Sequence, residues 1–241
     1  MNMKADAVIF DKDGTLIDFD SFWIPVSVKV IEDVLHEIGQ EQIPVDEFLT
    51  AFGVENGVTS INGVLCHGTY AQLGEAVHEV LCKHGCNVSC TDIIRMVTDG
   101  YASNLDAGEI KPSSPDLSDA LKELKKRNIK LAVVTNDNPP VTLACLRAIG
   151  IDELFDLIYT DDGSLPHKPD PAYAEDFCRR TGIPKERIIM VGDTLTDMKF
   201  AKNAGIIAVG VAETRHNKEI LSPYADAVVD NAAAVLGLLT D

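Results

Sequence analysis

The chain has 241 residues, of which 46% are hydrophobic and 24% are charged, and this length is sufficient for one large core or for a core with a modest insertion. These proportions exclude a disordered chain and a collagen-like repeat. With 38 acidic and 21 basic side chains the net charge is −17, so the long-range field repels phosphate backbones and anionic lipids. We therefore expect neither a nucleic acid nor a membrane as a partner.

From the two ends of the chain we expect neither a secretory signal nor a membrane anchor. The first apolar segment, residues 7–10, is too short for a secretory signal and is followed at once by Asp11. The longest apolar run near either end, residues 232–239, falls well short of the roughly 20 residues that cross a bilayer. The six cysteines lack the regular spacing of a disulfide framework. These features predict a protein of the cytoplasm.

Segment 7–10 instead predicts a buried β-strand, yet the next strand-and-helix unit begins only near residue 111. Between them, apolar side chains recur at helical spacing at Phe22, Val26, Val30, Val34 and Ile38. Further stretches compatible with helices are 44–52, 70–84 and 91–101. We interpret residues 18–108 as an all-α helical insertion, and residues 1–17 and 109–241 as one discontinuous α/β domain.

From residue 111 onward, short β-rich runs alternate with helix-like stretches. The runs are 129–134, 157–160, 188–191, 206–211 and 227–229. Such alternation predicts parallel strands joined by crossover helices. We therefore expect an α/β fold with a doubly wound, Rossmann-like parallel sheet.

Three of the crossover helices have recognisable starts, in which a residue that can cap a helix precedes a proline. The pairs are Ser114-Pro115 before a stretch at 116–128, Asn138-Pro139 before 141–149, and Asp170-Pro171 before 172–181. A proline is favoured at the first helical position because that position has no use for its N–H group. The pairs therefore predict a helix over each of these stretches, with the proline at its first helical position.

Four groups of polar residues follow predicted strands, which is where open α/β sheets bind ligands. The first is Asp11-Lys12-Asp13-Gly14-Thr15. Two carboxylates two residues apart can share a divalent cation, and the glycine lets the backbone turn tightly enough for its amides to face a phosphate. Taken alone, the group is also compatible with a fragment of a calcium loop or with an ordinary turn.

The second group, Thr135-Asn136, offers a hydroxyl and an amide that can donate to a phosphoryl oxygen, although both residues are also common in turns. The third is Lys168, which lies on a proline-flanked loop. The prolines restrict the conformations of this loop, which disfavours the alternative of a freely moving surface lysine.

The fourth group runs from Gly192 to Asp197 and carries carboxylates at its second and last positions. Asp197 lies three residues after Thr194, so it is also compatible with a simple helix-capping role. Asp193, directly after the strand, has no such alternative.

In this order and spacing, the four groups resemble the haloacid dehalogenase (HAD) superfamily of phosphotransferases. The pattern of that family is Asp-x-Asp-Gly-Thr, then Ser or Thr, then Lys, then Gly-Asp-x-x-x-Asp. The resemblance covers the whole chain. It implies that the insertion is a helical cap of the first type (C1), as in phosphoglycolate phosphatase and β-phosphoglucomutase.

The resemblance also implies catalytic roles. Asp11 would be the nucleophile that attacks phosphorus, and Asp13 would be the general acid for the leaving oxygen and then the base for water. A carboxylate can attack a phosphate ester only where both negative charges are offset. A Mg²⁺ ion bound by Asp11, by the backbone carbonyl of Asp13 and by Asp193 would offset them.

Lys168 would supply a second cation beside the same oxygens. The phosphate would be bound by Lys168, Thr135, Asn136 and the turn amides of Lys12 and Gly14. Asp197, with Thr194 in the same turn, would hold Lys168 or a metal-bound water.

The function implied by this resemblance is that of a Mg²⁺-dependent phosphatase, which hydrolyses a small phosphate monoester through an aspartyl-phosphate. A phosphosugar mutase resembling β-phosphoglucomutase uses the same residues and stays open as an alternative. A non-catalytic protein that binds a phosphate ligand or regulates a partner is the alternative from another class. The presence of Asp13 argues against it, because a pure binder gains nothing from a general acid.

In capped members of the family the insertion contacts the leaving group, so residues 18–106 should determine the substrate. This stretch contains 14 acidic and three basic residues, which favours a neutral leaving group such as a sugar or nucleoside. Arg95 could still bind a carboxylate, which keeps 2-phosphoglycolate open. Asn56 and His67 are further polar candidates, although a histidine in a turn is more often structural.

Overall fold

The computed structural model describes residues 3–240 and divides the chain into two units. Phe19–Glu109 forms one of them, here called the insertion unit. The described residues before and after it form the other, here called the core unit. This division lies one residue further along the chain than the limits of 18 and 108 expected from the sequence.

The secondary structure alternates as expected outside the insertion unit. The core unit opens with β1 (Ala7–Phe10). The insertion unit contains α1 (Phe19–Glu37), α2 (Val45–Phe52), β2 (Val54–Glu55), β3 (Val58–Thr59), α3 (Val64–His67), α4 (Tyr70–Lys83) and α5 (Cys90–Ser103). The core unit continues with α6 (Leu117–Lys126), β4 (Lys130–Val134), α7 (Pro139–Ala148), β5 (Leu157–Tyr159), α8 (Ala172–Thr181), β6 (Ile188–Gly192), α9 (Leu195–Ala204), β7 (Ile207–Val211), α10 (Arg215–Leu221) and β8 (Ala227–Val229).

The strands of the core unit form one parallel sheet in the order β5-β4-β1-β6-β7-β8. The predicted α/β class with a Rossmann-like parallel sheet is confirmed. From β1 the chain proceeds to β4 and β5, and it then returns to β6 on the other side of β1. The direction of the connections therefore reverses beside β1, and such reversals are where open α/β sheets form ligand-binding crevices.

The register of the central strands brings the polar groups to one edge of the sheet. Phe10, the last residue of β1, is paired with Val133 in β4 and with Val191 in β6, and all three side chains are fully buried. Strands that are covered on both faces are apolar throughout, so the first polar residues appear where the strands end. Asp11, Thr135 and Asp193 consequently follow neighbouring strands at the same edge.

The insertion unit has a helical core built on the periodicity of α1. Val26, Val30 and Val34 of this helix are buried with side chains from α2, α4 and α5. Packing of these apolar faces against one another stabilises the unit, since short helices are marginal alone. Among residues 3–240, no helix has both the length and the apolar character needed to cross a membrane.

A two-stranded hairpin, β2-β3, lies within the insertion that the sequence predicted as all-α. Its turn is Asn56-Gly57, and both residues have positive φ, 54° and 76°. This is the type I′ geometry that matches the twist of a hairpin, and Asn-Gly is its strongest sequence signal. The signal was present between Val54 and Thr59, but the flanking strands of two residues each are too short to produce a recognisable alternation.

All three helices are present and α8 has the predicted bounds, but only one of the three prolines occupies the first helical position as predicted. Asn138 caps α7 by accepting the N–H of Val141 at 3.1 Å, and the helix begins at Pro139. The other two helices begin later, at Leu117 and Ala172, because their prolines lie in a preceding turn. In the first of these turns the N–H of Leu117 donates to the carbonyl of Ser114, so Ser114 does not serve as the cap.

Candidate active site

A buried lysine links two of the polar groups at the edge of the sheet. The Lys168 ammonium lies 2.5 Å from Asp11 Oδ1 and 2.7 Å from Asp197 Oδ1. All three side chains are buried, with Asp197 only 1% exposed. Burial alone would lower the pKa of Lys168, but the two carboxylates outweigh it and hold the pKa above its ordinary value. The lysine is therefore charged at neutral pH.

Asn136 positions the backbone of Lys168. Its side-chain nitrogen donates to the Lys168 carbonyl at 3.1 Å, and its side-chain oxygen accepts the Lys168 N–H at 2.9 Å. The side-chain amide that the sequence predicts to bind phosphate thus orients the lysine loop, and its role in phosphate binding stays a prediction. Thr135, the other member of this pair, is 3% exposed, and its Oγ1 accepts the N–H of Asp137 at 3.2 Å. Its hydroxyl proton is available to a further acceptor.

Asp11 extends the pairing of β1 with β6, because its N–H donates to the Val191 carbonyl at 2.9 Å. Burial raises the pKa of its carboxyl to about 7, and the charges of Asp197 and Asp13 add to this against the lowering effect of Lys168. A single lysine therefore does not offset the negative charge gathered around Asp11.

Asp193 lies against the first polar turn. Its Oδ1 accepts the Thr15 hydroxyl at 3.0 Å. A Cβ atom on Gly14 would stand 2.1 Å from Asp193 Oδ2, and Gly14 has a φ of +74°. Only glycine fits here, both for its backbone conformation and for the space the aspartate needs. Burial, with the nearby charges of Asp11 and Asp197, raises the pKa of Asp193 well above its ordinary value.

Asp197 has two roles that the sequence presented as alternatives. Its Oδ2 accepts the N–H of Thr194 at 3.0 Å while the Thr194 hydroxyl accepts the N–H of Asp197, which is a complete capping box for α9. Its Oδ1 binds Lys168. The helix start thus holds the carboxylate that anchors the lysine.

The donor set of the site fits a divalent cation. Ligand oxygens of Asp11, Asp193 and Asp197 all lie within 4.8 Å of one another. Only two of these three carboxylates, those of Asp11 and Asp197, contact the lysine. Carboxylate oxygens are the ligands that Mg²⁺ prefers, and a cation would offset the remaining negative charge. The prediction named the carboxylates of Asp11 and Asp193 and the backbone carbonyl of Asp13 as the metal ligands. The Asp13 carboxylate does not join this cluster, whereas Asp197 does.

Asp13 is instead paired with Lys12, the residue expected to present only its backbone amide. Lys12 Nζ lies 2.6 Å from Asp13 Oδ1 and 3.2 Å from Asp137 Oδ2. The lysine side chain is 1% exposed. Although burial opposes it, the two carboxylates keep the pKa of Lys12 above its ordinary value. Sequence reasoning missed Asp137, although its position two residues after Thr135 was a usable signal.

The three polar residues proposed from the insertion all lie in its own unit, where two have local side-chain contacts and the third occupies a turn. Arg95 on α5 forms a 3.7 Å ion pair with Asp99, one helical turn away. Asn56 occupies the hairpin turn. His67 ends α3, and its Nε2 is 2.9 Å from the carbonyl of Asn62. Their assignment to substrate binding stays a prediction.

A family model described as haloacid dehalogenase-like hydrolase matches residues 5–205, which include all four polar groups. The chain belongs to the haloacid dehalogenase-like hydrolase family. The predicted family and the predicted class of hydrolase are confirmed.

Relatives in this family extend over nearly all of the chain. A phosphoglycolate phosphatase of Mesorhizobium japonicum is 29% identical over 87% of this chain and 83% of its own length. Another, of Mannheimia succiniciproducens, is 26% identical over 99% of this chain and all of its own length.

Solved structures of other proteins share the fold. A candidate β-phosphoglucomutase of Thermotoga maritima matches with a TM-score of 0.70 and 23% identity, covering 97% of each chain. CbbY of Rhodobacter sphaeroides, solved in complex with phosphate, matches with a TM-score of 0.55 and 24% identity, covering 96% of each chain. At these identities the likeness establishes the architecture alone.

Proposed function

We propose that this chain is a Mg²⁺-dependent phosphatase that hydrolyses a small phosphate monoester through a phosphoryl group held covalently on Asp11. The observation that carries the proposal is the buried Lys168 between Asp11 and Asp197, with Asp193 alongside. A nucleophilic carboxylate needs cations next to it, because it must approach an anionic ester. The phosphatase names of the family's relatives support the same activity.

Mg²⁺ bound by Asp11, Asp193 and the backbone carbonyl of Asp13 would withdraw charge from the phosphoryl oxygens. Lys168, fixed in place by Asp197, would neutralise the same oxygens from its own side. The Thr135 hydroxyl and the amides of the turn that follows β1 would complete the binding of the phosphoryl group.

The reaction then proceeds in two balanced steps. In the first, an Asp11 oxygen bonds to phosphorus, the bond from phosphorus to the ester oxygen breaks, and Asp13 gives its proton to the departing alcohol. In the second, water bonds to phosphorus, its proton passes to Asp13, and the bond between phosphorus and Asp11 breaks. The sum is ester and water to alcohol and inorganic phosphate.

The test measures phosphate release from a panel of monoesters that includes 2-phosphoglycolate, glucose 1-phosphate and nucleotides, with Mg²⁺ and with EDTA. We expect release that requires the metal and is abolished in Asp11→Asn. Asp119→Asn is the matched control, because it makes the same chemical change in a side chain that is 90% exposed.

The panel also separates the alternatives. Conversion of glucose 1-phosphate into another phosphosugar without phosphate release would replace the hydrolase with a mutase. Binding of phosphate with no turnover of any ester would favour a non-catalytic protein. The ranking of the esters tests the expectation of a neutral leaving group, which strong preference for 2-phosphoglycolate would contradict.

A further inference from the structure

Lys12 is a buried cation that the proposed reaction does not use. Its side chain is 1% exposed, whereas its two carboxylate partners, Asp13 and Asp137, are 23% and 24% exposed. Burying an ammonium is unfavourable unless its partners are held in place. A lysine in this position therefore ties two partly exposed carboxylates to a point inside the protein.

Both ends of Lys12 are fixed. Its backbone carbonyl accepts the N–H groups of Leu16 and Ile17, each at 2.9 Å, which closes the turn after β1. At the other end, the ammonium lies between Asp13 Oδ1 and Asp137 Oδ2. The position of the ammonium is thus set by the turn and by Asp137 together.

Asp137 is itself held in place. Its Oδ1 accepts the N–H of Asn138 at 2.8 Å, next to the start of α7, and its own N–H donates to Thr135 Oγ1. The second oxygen, Oδ2, is the one that faces Lys12. A chain of contacts therefore runs from the start of α7 through Asp137 and Lys12 to Asp13.

We propose that Lys12, anchored by Asp137, is a positioning residue that fixes the Asp13 carboxyl group by one oxygen and leaves the other for proton transfer to the leaving group. This inference rests on the proposed function. An ammonium donates its own hydrogen to Oδ1, so the acidic proton of Asp13 must sit on Oδ2. Within residues 3–240, the contact with Lys12 is the one hydrogen bond of this carboxyl group, so without Lys12 it is free to rotate.

The inference is tested with phenyl phosphates that differ in the acidity of the phenol and little in shape. A weakly acidic phenol needs a proton as it leaves, whereas dinitrophenol leaves without one, so only the first depends on Asp13. The measured quantity is kcat/KM, which reports the step in which the alcohol departs. Log kcat/KM is plotted against the pKa of the phenol. Loss of a residue that acts through Asp13 changes the slope of this plot, whereas loss of a residue that only stabilises the fold lowers kcat/KM equally for all the phenols.

We expect Lys12→Met to lower kcat/KM for phenyl phosphate about tenfold more than for 2,4-dinitrophenyl phosphate. Asp137→Asn, which loosens the lysine without removing it, should steepen the slope in the same direction by a smaller factor. The matched control is Lys125→Met, which removes a 2.8 Å lysine–carboxylate pair with Asp156 elsewhere in the core unit and should leave the slope unchanged.

A double variant shows whether Lys12 acts through Asp13. In an Asp13→Asn background, Lys12→Met should produce no further steepening, because the group it positions is already gone. Equal losses for all phenyl phosphates, or additional steepening in that background, would overturn the inference. If thermal unfolding shows that Lys12→Met does not fold, Asp137→Asn replaces it: a steeper slope supports the inference, and equal losses for all phenyl phosphates overturn it. Absence of phosphate release by the wild type would instead reject the proposed function.

Discussion

The two units of the molecule differ in whether they bury charged side chains. The insertion unit is rich in acidic residues, yet none of the charged side chains in residues 19–109 is buried. A typical pair there is Lys29 with Asp33, one helical turn apart, with both side chains nearly half exposed. The core unit buries Asp11, Lys12, Lys168, Asp193 and Asp197 at one edge of its sheet.

This difference shows which charges are informative about function. An exposed pair within a helix contributes about 0.3–0.5 kcal/mol and serves mainly solubility. A buried charge carries a large desolvation cost and persists only where partners from several elements surround it. The abundance of acidic residues in the insertion is therefore weak evidence about chemistry, whereas a few buried charges in the core unit support an active site.

The largest effect should come from Lys168, the cation between two carboxylates of the core unit. We expect Lys168→Met to lower kcat/KM for phosphate release by about 10²–10³-fold, as is typical when one group that stabilises the transition state is removed. Lys199→Met, an exposed lysine on the same helix as Asp197, is the control and should match the wild type. A loss of kcat/KM below tenfold would contradict the role of Lys168 in neutralising the phosphoryl oxygens.

Substitutions at two glycines distinguish the effect of backbone strain from the effect of crowding the site. Gly14 and Gly39 have similar φ values, +74° and +67°, but a Cβ atom would collide with Asp193 only at Gly14. Both substitutions by Ala should destabilise folding by about 1 kcal/mol. Only Gly14→Ala should reduce kcat/KM, by about 10²-fold, because it displaces Asp193. Urea unfolding and phosphate release measure the two quantities, and equal activity of the two variants would contradict the prediction.

Asp156 provides a test of charge in the core unit away from the site. Burial would raise its pKa, but hydrogen bonds from Lys125, Lys130 and the Leu131 N–H outweigh this and lower it to about 2. Because the folded value is below the ordinary 3.8, the carboxylate stabilises the fold above pH 4 and loses this contribution as the pH falls from about 4 to 2.

Asp156→Asn should therefore reduce the free energy of unfolding by about 1–2 kcal/mol at pH 6. The difference between the variant and the wild type should become smaller at pH 3. In the insertion unit, Asp33→Asn should leave the free energy of unfolding nearly unchanged at both pH values, because its partner Lys29 is exposed and solvent screens the pair. Urea unfolding at both pH values measures the stability of the two variants. If Asp156→Asn lowers stability by the same amount at pH 3 as at pH 6, the role assigned to the Asp156 charge is refuted.

The smallest effect is expected at Asn56 in the hairpin turn. Glycine also tolerates positive φ, so Asn56→Gly removes the side chain while it keeps the turn. We expect a stability change of a few tenths of a kcal/mol and an unchanged kcat/KM. A fall in kcat/KM of more than about fivefold, which corresponds to roughly 1 kcal/mol, would instead assign Asn56 to substrate binding.

Much of the fold was predictable because its signals are local. The helix at 172–181 and the strand at 227–229 have the predicted bounds, since periodicity and flanking turn residues define them. The hairpin in the insertion was missed because its strands are two residues long. The start of α6 was misplaced because Ser114-Pro115 forms a separate turn before the helix, and such a turn has the same residues as a cap.

The sequence by itself determined the alternation of strands and helices, the place of the insertion and the set of polar residues at strand ends, because each depends on neighbours along the chain. Only the tertiary structure decided which of those residues are partners. Lys168 binds Asp11, 157 residues away, and Lys12 binds Asp13 and Asp137 rather than facing solvent. Such contacts depend on strand register and on burial, which arise only when distant strands are brought side by side.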